Sequence, residues 1–135
     1  MNLVFDTTVL AKMLDNNTKV IKFVSEQDYN TFTIPLACDS EIRFGYNNGS
    51  RELINLTNYE QFKNAFGAIV YIPTEETSKI YAELTTFARK NGIVLSNNDL
   101  WIAASSLEIG GKLITLDKDF TYLPQIRCAY LKLKD

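Results

Sequence analysis

The stretch "SNNDLWIAASSLEIGGKLITLDKDF", residues 96–120, decides the reading of the fold. It reads as a helix start, with Asn97 or Asn98 able to cap it, and Ile102, Ala103, Ser106 and Leu107 then follow as a helix face packing on a sheet. Gly110 and Gly111 stop the helix, because glycine is the residue that most readily takes the left-handed turn at a helix end. "KLITL" follows at once. It is apolar, rich in β-branched residues, too short for a helix, and ends at Asp117, so it reads as a buried strand.

The rest of the chain repeats this alternation. "LVF" at 3–5 is a short strand that stops at Asp6. Thr7 or Thr8 then caps a helix through Val9, Leu10, Met13 and Leu14, and Val20, Ile21, Phe23 and Val24 mark a second. "FTIPL" at 32–36 is a strand whose Pro35 marks its end or an edge position. Asp39 or Ser40 starts a helix around Glu41 to Tyr46, and residues 52–66 form a polar amphipathic helix. "AIVYIP" is a strand. Thr74 caps the helix of "TEETSKIYAELTTFARKNG", with acids in its first turn, bases in its last and Gly92 as its stop. "RCAYLKL" is the last strand. Short apolar strands alternating with helices predict an α/β fold: one domain over 1–135, with a mostly parallel sheet of about five strands covered by helices on both faces.

The composition narrows the chemistry. The chain of 135 residues has no histidine and two cysteines, so neither a histidine-based triad nor a zinc site of four thiolate or imidazole ligands is available. An enzyme built from it must work with carboxylates, lysines or hydroxyls, and carboxylates around a hard cation lead. A net charge of −2 disfavours broad nucleic-acid binding through a basic surface. It leaves room for a nucleic-acid substrate at an acidic pocket whose local sign a bound cation changes. The opening "MNLVFDTTVL" is not a signal peptide, no apolar run is long enough to span a membrane, and Cys38 and Cys128 read as reduced thiols of a cytoplasmic protein.

In a parallel sheet, ligands bind beyond the carboxyl ends of the strands. Asp6 and Asp117 each follow a strand immediately. Glu41 and Asp99 each lie in the first turn of a predicted helix on the same side. Each acid alone has an ordinary explanation as a turn, cap or first-turn charge. Asn97 or Asn98 serves as cap of the later helix, which leaves Asp99 free to face the strand ends. Together the acids suggest a site, because clustered carboxylates repel one another unless a divalent cation offsets the repulsion.

These residues resemble the PIN-domain nucleases, and in particular the VapC-type toxins. "LVFDTTVLAKML" resembles the family's opening motif, "DSEIRFG" its second acidic segment, and "SNNDLWIAASSLEIGGKLITLDKDF" its third and fourth. The resemblance runs in order along nearly the whole chain. It implies a PIN fold and a Mg²⁺- or Mn²⁺-dependent endoribonuclease that hydrolyses RNA phosphodiester bonds, with transfer RNA among the candidate substrates. It also implies the toxin of a type II toxin–antitoxin pair, held by a cognate antitoxin and often a homodimer. By position, the catalytic and metal-ligating acids are Asp6, Glu41, Asp99 and Asp117, with Thr115, Asp119 and Arg43 as helpers. Arg43 has an ordinary alternative as a structural ion pair. Thr8 stands where the family usually has Asn or Ser, Ser96 where glycine is common, and Trp101 where a smaller apolar residue is usual. The competing reading is a PIN-like module that binds RNA or a partner without cleaving. A P-loop is disfavoured because the "GGK" at 110–112 precedes a strand and is followed by Leu113.

Overall fold

A computed structural model describes residues 1–133; Lys134 and Asp135, the end of the expected domain, lie outside the described residues. Five strands alternate with six α-helices: β1(Asn2–Phe5), α1(Thr7–Leu14), α2(Thr18–Ser25), β2(Thr31–Pro35), α3(Leu36–Asn47), α4(Glu52–Phe66), β3(Ile69–Tyr71), α5(Glu75–Lys90), α6(Asn97–Glu108), β4(Lys112–Thr115) and β5(Arg127–Tyr130). A 3₁₀ helix over Lys118–Tyr122 joins the last two strands. The sheet is wholly parallel, in the order β3-β2-β1-β4-β5.

The central strand β1 is apolar from its second residue onward. Leu3, Val4 and Phe5 are each 0% exposed, as expected where helices cover both faces of a strand. Phe5 is paired with Ile114 of β4, and Val4 with Thr33 of β2. Fully burying such a side chain contributes about 1.5–3 kcal/mol, so β1 and its neighbours Ile34, Leu113 and Ile114 form the most stabilising part of the core.

Of the two readings of Pro35 the first holds: it ends β2, which lies inside the sheet between β1 and β3. Other boundaries are corrected. The following helix starts at Leu36 rather than at Asp39 or Ser40, with Pro35 as its N-cap residue at φ −58° and ψ 145°. Proline's fixed φ suits both the end of a strand and the entry to a helix, so no loop intervenes. Glu41 is therefore in the second turn of α3. The last strand also stops early, at Tyr130.

The turn "GG" uses its two glycines differently. Gly110 takes φ 67°, and the Gly111 amide donates to the Ser106 carbonyl at 2.9 Å, closing the end of α6. At Gly111 a Cβ would lie 2.6 Å from Val4 Cγ2 and 3.0 Å from the Asn2 carbonyl oxygen, so the glycine allows β4 to enter the sheet against β1.

α4 packs its aromatic residues on the core, Tyr59 most deeply, with Phe66 left partly exposed. Tyr59 is fully buried, Phe62 packs against Phe5 with ring centroids 6.1 Å apart, and Phe66 meets Phe32 edge-on at 5.4 Å.

Candidate active site

Because β1 and β4 are adjacent and parallel, the residues leaving their carboxyl ends are neighbours. The Asp6 amide donates to the Ile114 carbonyl at 3.1 Å, extending the ladder by one bond beyond β1. The Thr115 hydroxyl joins the two ends. It donates to Asp6 Oδ2 at 2.7 Å and accepts from the Asp117 amide at 2.9 Å. Asp117 Oδ1 in turn accepts from the Asp119 amide at 2.9 Å. The main chain thus holds Asp117 where it faces Asp6.

Asp99 comes in from the first turn of α6. The helix is capped by Ser96, not by Asn97 or Asn98. Ser96 Oγ accepts from the Asp99 amide at 3.1 Å, and the Ser96 amide donates to Asp99 Oδ2 at 3.3 Å, a reciprocal capping box. Asp99 is therefore not released from capping: one oxygen belongs to the box. Its carboxylate still interacts with Asp117 and Glu41. Glu41 is held by the Thr7 hydroxyl, which donates to its Oε1 across the gap between α1 and α3.

Electrostatics tie the four acids together. Asp6 is 4% exposed, and its carboxyl is pushed up to about 6. Burial is the main cause; Asp99 and Asp117 add to it, while hydrogen bonds from Thr115 and the Thr7 amide act against it. Asp99 is also raised, first by burial and then by Asp117 and Glu41, against its two bonds to Ser96. These are carboxylates held close enough to oppose each other's ionisation, the condition that a divalent cation relieves.

The donor set fits such a cation. It is all oxygen, as Mg²⁺ and Mn²⁺ prefer. Cys38 is fully buried, with its thiol pushed up by desolvation, so it offers no competing soft ligand. Among the described residues, no three acidic or thiol side chains are already disposed to grip one ion. One oxygen of Glu41 accepts from the Thr7 hydroxyl, one of Asp99 from the Ser96 amide and one of Asp117 from the Asp119 amide, and each carboxylate keeps a second oxygen.

The helpers have different places. Thr115 is at the centre, fully buried. Asp119 lends its amide to Asp117 and is also one of the residues lining a separate cavity against the end of α5. Arg43 is engaged elsewhere: its Nε donates to Asp39 Oδ2 at 2.9 Å, and a terminal nitrogen lies 3.5 Å from Glu60. Buried Asp39 also accepts from the Tyr59 hydroxyl at 2.7 Å, so this acid braces α3 against α4. Thr8 is exposed and makes no hydrogen bond to Asp6 among the described residues; the hydroxyl on Asp6 is that of Thr115. Sequence reasoning missed that Thr7 and Ser96 hold the acids Glu41 and Asp99. The signal for Thr7 was its position directly after Asp6; that for Ser96 was the spacing Ser-x-x-Asp.

The same fold is found in solved structures. VapBC2 from Rickettsia felis, bound to a DNA fragment from their promoter, superposes with a TM-score of 0.85 at 18% identity, covering 98% of this chain and 100% of that one. VapBC-1 from nontypeable Haemophilus influenzae gives 0.81 at 22% identity, covering 96% and 98%. VapBC-5 from Mycobacterium tuberculosis, of the VapBC family of toxin–antitoxin systems, gives 0.69 at 19% identity, covering 96% and 98%. No curated protein matches the chain in sequence. Residues 3–125 match the PIN domain family, a span running from β1 through β4, and the chain belongs to that family.

Proposed function

We propose that this PIN domain is a Mg²⁺- or Mn²⁺-dependent endoribonuclease and the toxin of a VapBC-type pair, acting in the cytoplasm and restrained by a cognate antitoxin. The observation that carries the reading is the Thr115 bridge, which joins Asp6 and Asp117 at the ends of adjacent parallel strands. The antitoxin partner is supported by the likeness to VapBC structures; a homodimer is inferred from the family resemblance alone.

Asp6, Asp99 and Asp117 would hold the cation, directly or through water, with Glu41 completing the set. Such an ion lowers the pKa of a bound water and stabilises charge building on a phosphate. The chain's own part is positional. Thr115 fixes the Asp6 carboxylate, Ser96 fixes Asp99, and Thr7 holds Glu41 so that its second oxygen can accept a proton from an attacking water. No histidine is required.

The test is RNA cleavage with Mn²⁺. Asp99→Asn should lose activity while keeping its helical circular dichroism, since the amide oxygen can still accept from the Ser96 amide. Full activity in that variant sinks the assignment. The incomplete grip on an ion favours one competing reading, a PIN module that binds without cutting. Calorimetry separates the two: absence of Mn²⁺ binding at millimolar metal supports the non-cutting module.

A further inference from the structure

A cavity beside the acids is left unused by the proposed chemistry. The end of α5, the connection that follows it and the 3₁₀ helix enclose about 370 Å³, within the range of about 300–1,000 Å³ typical of ligand sites. Its walls include Phe87, Asn91, Ile93, Val94, Asp119 and Tyr122. Both wall segments lead straight to the candidate active site. One runs on through Ser96 to Asp99; the other begins at Asp117, whose carboxylate accepts from the Asp119 amide.

The lining is mixed in a particular way. Tyr122 is 50% exposed and Val94 is 80% exposed, so an aromatic ring and an apolar side chain stand open at the rim. The half-buried Asp119 carboxylate has no hydrogen-bond or ion-pair partner among the described residues. A carboxylate repels phosphate, so the cavity does not suit the RNA backbone. A flat ring with N–H donors suits it well: it can stack on an aromatic side chain and present its edge to the acid.

We propose that this cavity is a nucleobase subsite that takes guanine from a nucleotide flanking the scissile phosphate; the inference rests on the ribonuclease reading. Asp119 accepts from the guanine N1–H and 2-amino group, and Tyr122 stacks on the ring. Guanine is the base selected because its pairing edge carries two adjacent donors, matching the two oxygens of one carboxylate. Cytosine and adenine place a ring acceptor beside their amino group, and uracil sets its single N–H between two carbonyls.

The experiment is Mn²⁺-dependent cleavage of a randomised RNA pool, with the new ends sequenced, followed by kinetics on single substrates. Wild type should show guanine enriched at one fixed position relative to the cut. Guanosine→inosine at that position removes only the 2-amino group and should lower kcat/KM about tenfold, as expected for one hydrogen bond to a charged group. Asp119→Asn should cleave both substrates alike, and Tyr122→Ala should lower kcat/KM about tenfold on either. An unchanged cleavage profile in Asp119→Asn, no guanine enrichment in wild type, or an unaffected Tyr122→Ala overturns the subsite and leaves the ribonuclease reading standing. Loss of all cleavage in a folded Asp119→Asn also overturns it, because Asp119 then acts in the chemistry. No cleavage by the wild type overturns both.

Discussion

Replacing Asp6 with asparagine should make the metal-free protein more stable at neutral pH while weakening its hold on metal. Burial, with Asp99 and Asp117, carries the Asp6 carboxyl from 3.8 to about 6. In the unfolded chain the group ionises near the lower value. Between about 4 and 6 the folded state therefore binds the extra proton, and stability falls as pH rises through that window. Above about 6 the whole penalty is present, about 3 kcal/mol at 1.36 kcal/mol per pH unit. Asparagine removes the charge and keeps an oxygen that can accept from Thr115, although its NH₂ group needs a partner of its own. The net gain at pH 7.5 is about 1–3 kcal/mol, several degrees in Tm for a domain of this size. Scanning calorimetry in EDTA should show that gain at pH 7.5 and little or none at pH 4. Adding Mn²⁺ should raise the wild-type Tm by mass action and leave the variant nearly unmoved. A variant equally destabilised at both pH values, or one that gains as much from Mn²⁺ as wild type, refutes the reasoning. Asp6 would then be an ordinary hydrogen-bonded carboxylate.

Three further outcomes follow from single contacts. Thr115→Val removes a donor to Asp6 and an acceptor for the Asp117 amide, and should cost about 1–3 kcal/mol in urea unfolding. It should also carry the acid-side stability change of metal-free protein to higher pH, because the bond that lowers the Asp6 pKa is gone. Ser96→Ala should cost about 1 kcal/mol through loss of the cap, and should lower kcat for RNA more than it raises KM, because Asp99 loses the hydroxyl that orders its turn. Gly111→Ala should destabilise by about 1–3 kcal/mol in the same assay, because the new Cβ meets Val4 at 2.6 Å and the Asn2 carbonyl oxygen at 3.0 Å. A urea curve matching wild type would mean that β4 can move away from β1 at no cost.

Local pattern was enough for the class of fold. Apolar runs such as "LVF" and "KLITL" have too few residues for a helix and no polar face, so they had to be buried strands. Gly110, Gly92 and Thr74 mark helix ends because their backbone freedom or side-chain oxygen acts within one turn. The acids after "LVF" and "KLITL" were legible for the same reason: each is the first polar residue beyond a strand. Tertiary structure decided what depends on contacts distant in sequence. Only the strand order put Asp6 beside Asp117 across a separation of more than a hundred residues, and only the packing of α1 on α3 brought Thr7 to Glu41. Arg43 and Asp99 show the limit most clearly. Arg43 stands two residues from Glu41, yet its charge is drawn to Asp39 and to Glu60 on another helix. Asp99 takes part in the capping box through one oxygen, and it still lies close enough to Asp117 and Glu41 for their charges to raise its pKa. The sequence alone determines which groups carry charge; how those groups share donors, water and one another is set by the distances that folding imposes.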